Sequence, residues 1–155
     1  MKRISKAALA PQQVERVLEE SRILSSVDHP FLVALEYSFE SDHCFYFAMT
    51  YADGGSLAQW LQPPMGRAAV RLVISEVLLA LQYLHATGII YRDLKPENTL
   101  VLKDGHILLA DFGVSTRIGR PTLPTVDLPV RRAEPLPPVN GASSAASTPA
   151  STANV

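Results

Sequence analysis

The stretch YRDLKPEN, residues 91–98, places an acid, a base and an amide within one short loop. Asp93 can accept a proton from a hydroxyl group, Lys95 carries a positive charge two residues later, and Asn98 offers an amide oxygen to a cation. Further along, the chain reads DFG at residues 111–113, which adds the carboxylate of Asp111. Because carboxylate and amide oxygens are ligands that Mg²⁺ prefers, these two motifs together could hold a divalent cation beside a proton acceptor and a positive charge.

Composition and charge exclude several classes of protein. The chain has 155 residues, a length typical of one domain, and its 14 basic and 15 acidic side chains give a net charge of −1. That balance gives no electrostatic reason to expect nucleic acid or an anionic membrane as a partner. The only cysteine is Cys44, which excludes an internal disulfide and a multi-cysteine zinc site and is typical of a buried apolar side chain. A reducing compartment is therefore expected, the cytoplasm or alternatively the nucleus.

Other candidate signals have structural explanations. Residues 1–6 turn polar too quickly for a secretory signal, and residues 70–84 look too short and too polar to cross a bilayer. The four histidines are scattered too widely to form a metal site, so each is expected to have a structural role. They are His29, His43, His85 and His106.

Hydrophobic periodicity in the first 116 residues predicts an α+β fold. Strands are expected at residues 2–5, 31–39, 43–49, 99–102 and 106–110. Helices are expected at residues 11–25, 56–61 and 67–85. In the first helix Val14, Val17, Leu18 and Leu24 should form an apolar stripe, and Glu20 should lie on the same inward face, where a carboxylate needs a cation. In the long helix the expected core face consists of Val70, Ile74, Val77, Leu78, Leu81 and Leu84, and Gly88 is the stop signal.

Composition changes near residue 117. Seven of the 12 prolines fall in residues 117–155, and residues 141–154 are almost all small. Such a segment buries too little apolar surface to offset the entropy lost on ordering, so it is predicted to be a disordered Pro/Ala/Ser-rich tail. The PLPP run at 135–138 could alternatively act as a polyproline ligand.

The order of these motifs resembles the middle of a protein kinase domain. Four segments of the sequence are similar to the AGC group of serine/threonine kinases. They are ESRIL at 20–24, HPFLV at 29–33, YSF at 37–39 and Tyr91 before Arg-Asp. The resemblance implies a partial two-lobe fold, with an incomplete N-lobe sheet and αC-type helix at 1–49, a hinge at 50–53, and a partial helical C-lobe at 54–116.

The resemblance also implies roles for single residues. Asp93 matches the catalytic base and Lys95 the phosphate-contacting lysine, while Asn98 and Asp111 match the ligands of Mg²⁺. The residues matching the ATP site are Lys2 at the phosphates, Glu20 as its ion-pair partner, Met49 as gatekeeper, Thr50 to Ala52 as hinge and Leu100 beneath the purine. The residues matching the apolar column between the lobes are Leu24, Leu35, Tyr91 and Phe112.

Some alternatives remain open at the level of sequence. Lys2 could be a solvated surface lysine and Glu20 an ordinary helix-surface acid, while Met49 and Leu100 would suit any core. No Gly-rich loop precedes Lys2, and nothing after Gly113 resembles an activation segment ending in Ala-Pro-Glu. A truncated domain with weak or no activity alone is therefore expected.

Two functions follow from the resemblance. The first is an ATP- and Mg²⁺-dependent kinase that transfers a phosphoryl group to a Ser or Thr hydroxyl of a protein substrate. The alternative is a non-catalytic kinase-like module that binds or scaffolds other proteins. A regulatory protein partner is compatible with both.

Overall fold

The computed structural model describes residues 1–61 and 64–119, which form two connected parts with strands and helices in each. This mixture confirms the expected α+β class. The strands are β1 (Lys2–Ser5), β2 (Leu35–Glu40), β3 (Cys44–Met49), β4 (Ile89–Ile90), β5 (Thr99–Val101), β6 (Ile107–Leu109) and β7 (Thr116–Arg117). The helices are α1 (Pro11–Leu24), α2 (Leu57–Trp60) and α3 (Arg67–Ala86).

The first part is an antiparallel sheet of order β1-β3-β2 that packs on α1. Lys2 pairs with Phe47 across β1 and β3, which fixes where the lysine side chain leaves the sheet. Phe45 and Phe47 alternate onto the face that meets Val17 of α1, where all three are buried. The register of β1 against β3 therefore places Lys2 on the side of the sheet that α1 covers.

Helix α1 begins at Pro11, where the missing N–H costs nothing because first-turn amides have no intrahelical partner. The side chain of Gln13 accepts a hydrogen bond from the Ala10 amide at 2.7 Å and closes this end. Glu20 is only 3% exposed, so its expected inward position is confirmed. Leu18, expected in the apolar stripe, is instead 40% exposed.

The main hydrophobic core joins the end of α1 to the second part of the molecule. Leu24, Tyr91 and Phe112 are at most 2% exposed and belong to one cluster, against which Leu35 packs. The rings of Tyr91 and Phe112 meet edge to face, with centroids 5.3 Å apart. The four residues of the expected column thus share one core, and they connect the sheet part to the loop at residues 91–98.

Helix α3 ends as its sequence predicts, because Gly88 adopts a left-handed φ of 76° just beyond the C-cap. It turns a different face to the core than the sequence predicts, however. Three residues of the expected core face are well exposed: Val70 at 39%, Ile74 at 52% and Leu78 at 60%. The buried residues of α3 are Val73, Glu76, Ala80 and Leu84. The core face is therefore rotated by about 100°, the angle of one helical residue.

The reason for this rotation is the buried carboxylate of Glu76. It receives the Ile107 amide of β6 at 2.9 Å, and its other oxygen lies 2.6 Å from Nδ1 of His106. Because apolar side chains cover most of the circumference of α3, hydrophobic periodicity alone does not indicate which face meets the core. The partners of Glu76, which are the Ile107 amide and the His106 ring, determine that face. His106 thus has the structural role expected of it.

The 20 residues of α3 are also long and apolar enough, by length and composition alone, to cross a membrane. Residues 70–84, taken alone, were expected to be too short and too polar to cross a bilayer. Core helices of soluble proteins pass the same test, and here the face with Glu76 and Leu84 packs on protein.

The second part contains two short antiparallel pairs, β5 with β6 and β4 with β7. Gly54 packs against β5 so closely that a Cβ there would lie 2.5 Å from the Val101 carbonyl oxygen, which explains the need for glycine. Beyond β7 the Ile118 amide still donates to Gly88 O at 2.8 Å. The tail predicted to be disordered, residues 117–155, begins too early, because Arg117 lies in β7 and Ile118 is hydrogen-bonded. Residues 120–155 lie outside the described residues, as do Gln62 and Pro63.

Replacing Glu76 with alanine should lower the free energy of unfolding by about 3 kcal/mol, because a buried amide and an imidazole would lose their acceptor. Urea unfolding of the full chain measures this. Glu15→Ala, at an exposed position of α1, is the matched control and should change stability by less than about 0.5 kcal/mol. Equal effects of the two substitutions would contradict the anchoring role of Glu76.

Candidate active site

The first half of the site is an ion pair between β1 and α1. Lys2 Nζ lies 2.7 and 3.0 Å from the two carboxylate oxygens of Glu20, and 3.2 Å from Oδ1 of Asp111. Burial disfavours the charge of Lys2, but the hydrogen bond and attraction of Glu20, with a smaller effect of Asp111, raise its pKa above the usual range. Lys2 is therefore a partly buried cation shared by two acids, and the alternative of a solvated surface lysine is not what the structure shows.

Asp111 is held in an unusual backbone conformation. Its φ is 58°, in the left-handed region that residues other than glycine seldom adopt, although aspartate tolerates it better than most. The Gly113 amide donates to Oδ1 at 3.3 Å, and a Cβ at residue 113 would lie 3.6 Å from Glu20 Oε2. This turn places the carboxylate of Asp111 next to the Lys2–Glu20 pair.

The second half of the site is the loop at residues 91–98. Asp93 Oδ2 accepts hydrogen bonds from Lys95 Nζ at 2.8 Å and from Asn98 Nδ2 at 2.7 Å. The Lys95 contact, and then that of Asn98, hold the pKa of Asp93 below its usual range, while Asp93 raises the pKa of Lys95. The carboxylate is thus ionised at neutral pH, with a cation and an amide fixed beside it.

Contacts from behind keep this loop in place. Arg92 has a left-handed φ of 67°, and its Nε donates to the Val114 carbonyl oxygen at 2.7 Å. Ser115 Oγ donates to the Tyr91 carbonyl oxygen at 3.0 Å, and the Tyr91 hydroxyl donates to Ala110 O. Strained residues persist only where their surroundings hold them, and such residues cluster at functional sites. Hydrogen bonds from the segment at residues 110–115 therefore fix the conformation of the loop.

The two halves lie close enough to act on one another electrostatically. Burial is the main reason that the pKa of Tyr91 is raised, and the charges of Asp111 and Asp93 raise it further. Lys95 is stabilised in its charged form by Asp93 first and also by Asp111. The charges of both carboxylates thus act on the same tyrosine and the same lysine, which couples the two halves of the site electrostatically.

The candidate metal ligands are carried by the two strands of one hairpin. Asn98 directly precedes β5, Asp111 follows β6 by two residues, and the Ala110 amide donates to Asn98 O at 2.9 Å. Since the Nδ2 group of Asn98 is bonded to Asp93, its other amide atom, Oδ1, is the one that can serve a cation. A carboxylate and an amide oxygen fit a hard cation such as Mg²⁺, which takes few protein ligands besides phosphates. Among residues 1–61 and 64–119, no group of three or more His, Cys, Asp or Glu could hold a metal by itself.

The residues expected to contact adenine lie where β3 leaves the sheet. Met49 is its last residue, half-buried against both hydrophobic clusters and two residues after Phe47, the partner of Lys2. The Thr50 amide donates to Ala34 O at 2.9 Å, so Thr50 can offer a ligand only its carbonyl oxygen. Ala52 and Leu100 are half-buried. Their contacts are compatible with the roles that the resemblance implies, which stay predictions.

Three functional contacts escaped the sequence analysis. They are made by Glu76 beneath β6, by Ser115 beneath the loop, and by Arg92 to Val114. The sequence did indicate the role of Glu76, because an acid in an apolar helix needs a polar partner. It did not indicate the role of Ser115, because that role depends on a backbone oxygen 24 residues earlier in the chain.

Comparison with known proteins agrees with this geometry. Residues 1–129 match the model of the protein kinase domain, so the match extends beyond residue 116, where the sequence analysis ends the domain. The chain is 47% identical over 129 residues to Serine/threonine-protein kinase AGC1-7 of Arabidopsis thaliana, covering 79% of this chain and 23% of that protein. It is 50% identical over 113 residues to Serine/threonine-protein kinase KIPK1 of the same plant, covering 70% of this chain and 12% of that one.

A relative from another organism gives the same result. The RAC family serine/threonine-protein kinase homolog of Dictyostelium discoideum is 44% identical over 117 residues, which cover 74% of this chain and 26% of that protein. The chain thus spans about a quarter or less of the length of these relatives. With the family model matching most of its residues, the chain belongs to the protein kinase domain family, in the branch of AGC-type serine/threonine kinases.

Proposed function

We propose that this chain carries the nucleotide-binding and phosphoryl-transfer centre of a serine/threonine protein kinase. Protein kinases in general use ATP, a divalent metal and a protein substrate. The observation that supports the proposal is a pair of charged clusters: Lys2 shared by Glu20 and Asp111, and Asp93 held by Lys95 and Asn98.

The lysine of β1 is suited to bind nucleotide phosphates. Both carboxylate oxygens of Glu20 hold Lys2 Nζ from the buried side, and a phosphate would take over the donor that Lys2 gives to Asp111. Asp111, whose Oδ1 lies 3.2 Å from Lys2 Nζ, would hold Mg²⁺ together with Asn98. A bound Mg²⁺ would neutralise phosphate charge. Thr50, Ala52, Met49 and Leu100 are proposed to surround the adenine.

The loop at residues 91–98 is suited to transfer a phosphoryl group. Asp93 is ionised and can accept a proton from a Ser or Thr hydroxyl, while Lys95 contributes positive charge beside the transferring group. Phosphoryl transfer depends mainly on positioning and electrostatics, and the contacts of Arg92 and Ser115 supply positioning. A module that binds nucleotide without transferring phosphate is the alternative function, and the two experiments below separate them.

Mg²⁺-ATP at 100 times its dissociation constant should stabilise the full chain by about 2.7 kcal/mol. Lys2→Met and Asp111→Asn should each weaken nucleotide binding by about tenfold or more, because each removes a charge that faces the phosphates or the metal. Isothermal titration calorimetry, performed below the melting temperature of each variant, measures this. Lys6→Met is the matched control, since Lys6 pairs with exposed Glu40 away from the site. Undiminished binding by both site variants would refute the nucleotide site.

Asp93→Asn should lower the rate of phosphoryl transfer to a Ser-containing basic peptide by about 10² to 10⁴, the usual contribution of a general base, and should leave Mg²⁺-ATP binding unchanged. Transfer of labelled phosphate from ATP measures it. Asp104→Asn, in the exposed turn of the β5–β6 hairpin, is the matched control and should retain activity. If both variants and the unsubstituted chain bind nucleotide but transfer nothing, the binding-module alternative stands.

A further inference from the structure

Thr99 carries a hydroxyl group at a position where packing alone would be satisfied by an apolar side chain. It is the first residue of β5, is 2% exposed, and pairs with the fully buried Leu109 of β6. Branched side chains suit such a strand position by shape, so a valine would fill the space equally well. The oxygen of Thr99 needs a separate reason, because a buried hydroxyl costs free energy unless it is hydrogen-bonded.

The acceptor of this hydroxyl is the backbone of the loop at residues 91–98. Thr99 Oγ1 donates to the Lys95 carbonyl oxygen at 3.1 Å, and the Asn98 amide donates to the same oxygen at 3.1 Å. The Thr99 amide donates to the Pro96 carbonyl oxygen. One residue of β5 thus holds two consecutive carbonyl groups of the loop.

The turn between Lys95 and Asn98 has little support of its own. Pro96 to Asn98 form a single 3₁₀ turn, a conformation whose hydrogen bonds have poorer geometry than those of an α-helix. Pro96 has no N–H group to contribute, and Lys95 just before it is extended, with φ −155° and ψ 159°. The second donor to the Lys95 carbonyl oxygen is therefore supplied by Thr99, a residue that the β5–β6 pair and its own burial keep in place.

The peptide group that Thr99 holds lies between the two side chains that contact Asp93. Lys95 Nζ lies 2.8 Å from Asp93 Oδ2, and Asn98 Nδ2 lies 2.7 Å from the same oxygen. A rotation of the peptide between Lys95 and Pro96 would displace the lysine on one side and the asparagine on the other. Phosphoryl transfer is sensitive to such displacements, since about 1 Å can cost about a hundredfold in rate.

We propose that Thr99 is a positioning residue for phosphoryl transfer, whose hydroxyl acts through the Lys95 carbonyl to keep Lys95 and Asn98 in place around Asp93. This role rests on the proposed function and adds to it a residue that acts only through another. A threonine that served packing alone would affect stability, whereas Thr99 should change the loop and the rate of transfer while the fold persists.

Hydrogen exchange of the Asn98 amide, followed by NMR in the full chain below its melting temperature, tests the hold of Thr99 on the loop without needing activity. Thr99→Val removes the hydroxyl, keeps the shape, and should accelerate this exchange about tenfold, while Thr99→Ser keeps the hydroxyl and should stay within about twofold of the unsubstituted chain. Thr87→Val is the matched control, because Thr87 Oγ1 donates in the same way to Leu84 O at 2.9 Å, at the C-terminal end of α3. It should leave Asn98 exchange unchanged.

Steady-state kinetics test the link to the reaction. Thr99→Val should lower kcat for transfer to a Ser-containing peptide about tenfold and leave KM for ATP within about twofold, since Lys2 and the residues proposed to surround the adenine are untouched. Thr99→Ser and Thr87→Val should keep kcat within about twofold. A loss in Thr99→Ser as large as that in Thr99→Val would assign the effect to the methyl group and overturn the proposal, and so would an unchanged kcat in Thr99→Val.

The two measurements separate this role from the proposed function. If the unsubstituted chain transfers no phosphate, the proposed function fails, and the exchange of the Asn98 amide alone decides whether Thr99 holds the loop. Faster exchange in Thr99→Val, but not in Thr99→Ser or Thr87→Val, supports that hold. Equal exchange rates in all the variants overturn it.

Discussion

The ion pair between Lys2 and Glu20 is the constraint on which the arrangement of this molecule depends. Glu20 is almost fully buried in α1, and an uncompensated carboxylate there would cost several kcal/mol. Its cation comes from β1, and the same cation reaches Asp111 in the second part of the molecule. One lysine thus joins the sheet, the helix and the turn after β6. This explains how a strand as short as β1 can fix the position of α1.

The site follows from this constraint and from one hairpin. Asn98 and Asp111 flank β5 and β6, so the distance between them is set by two short strands and not by long loops. Glu76 holds the Ile107 amide of that hairpin from below, and Tyr91, Arg92 and Ser115 hold the loop of Asp93 against residues 110–115. Rigid supports of this kind are what phosphoryl transfer requires, because its catalysis is mainly positioning and electrostatics.

Much of the fold could be predicted from local pattern. The polar turn at 40–42 between two apolar runs predicts two strands, Pro11 begins α1, Gly88 ends α3, and the inward direction of Glu20 follows from its spacing to Val17 and Leu24. The face of α3 could not be predicted this way. Apolar side chains surround most of that helix, so the periodicity has no sharp direction, and a count of large residues favoured Ile74 and Leu78 over the small, fully buried Ala80. Leu18 was misplaced as well, since it lies in an open groove beside Phe39 and Phe45 of the sheet.

The sequence by itself determined the identity of the chemical groups and their order, because the loop at 91–98 and the turn at 111–113 are local motifs whose residue types are fixed by the reaction. It also determined the family, through short motifs spread over the first 116 residues. Only the tertiary structure decided which groups share a proton, a charge or a hydrogen bond. Lys2 is 109 residues from Asp111, and Ser115 is 24 from Tyr91. Contacts over such separations arise from packing, and packing depends on all the surrounding side chains together, which no local pattern records.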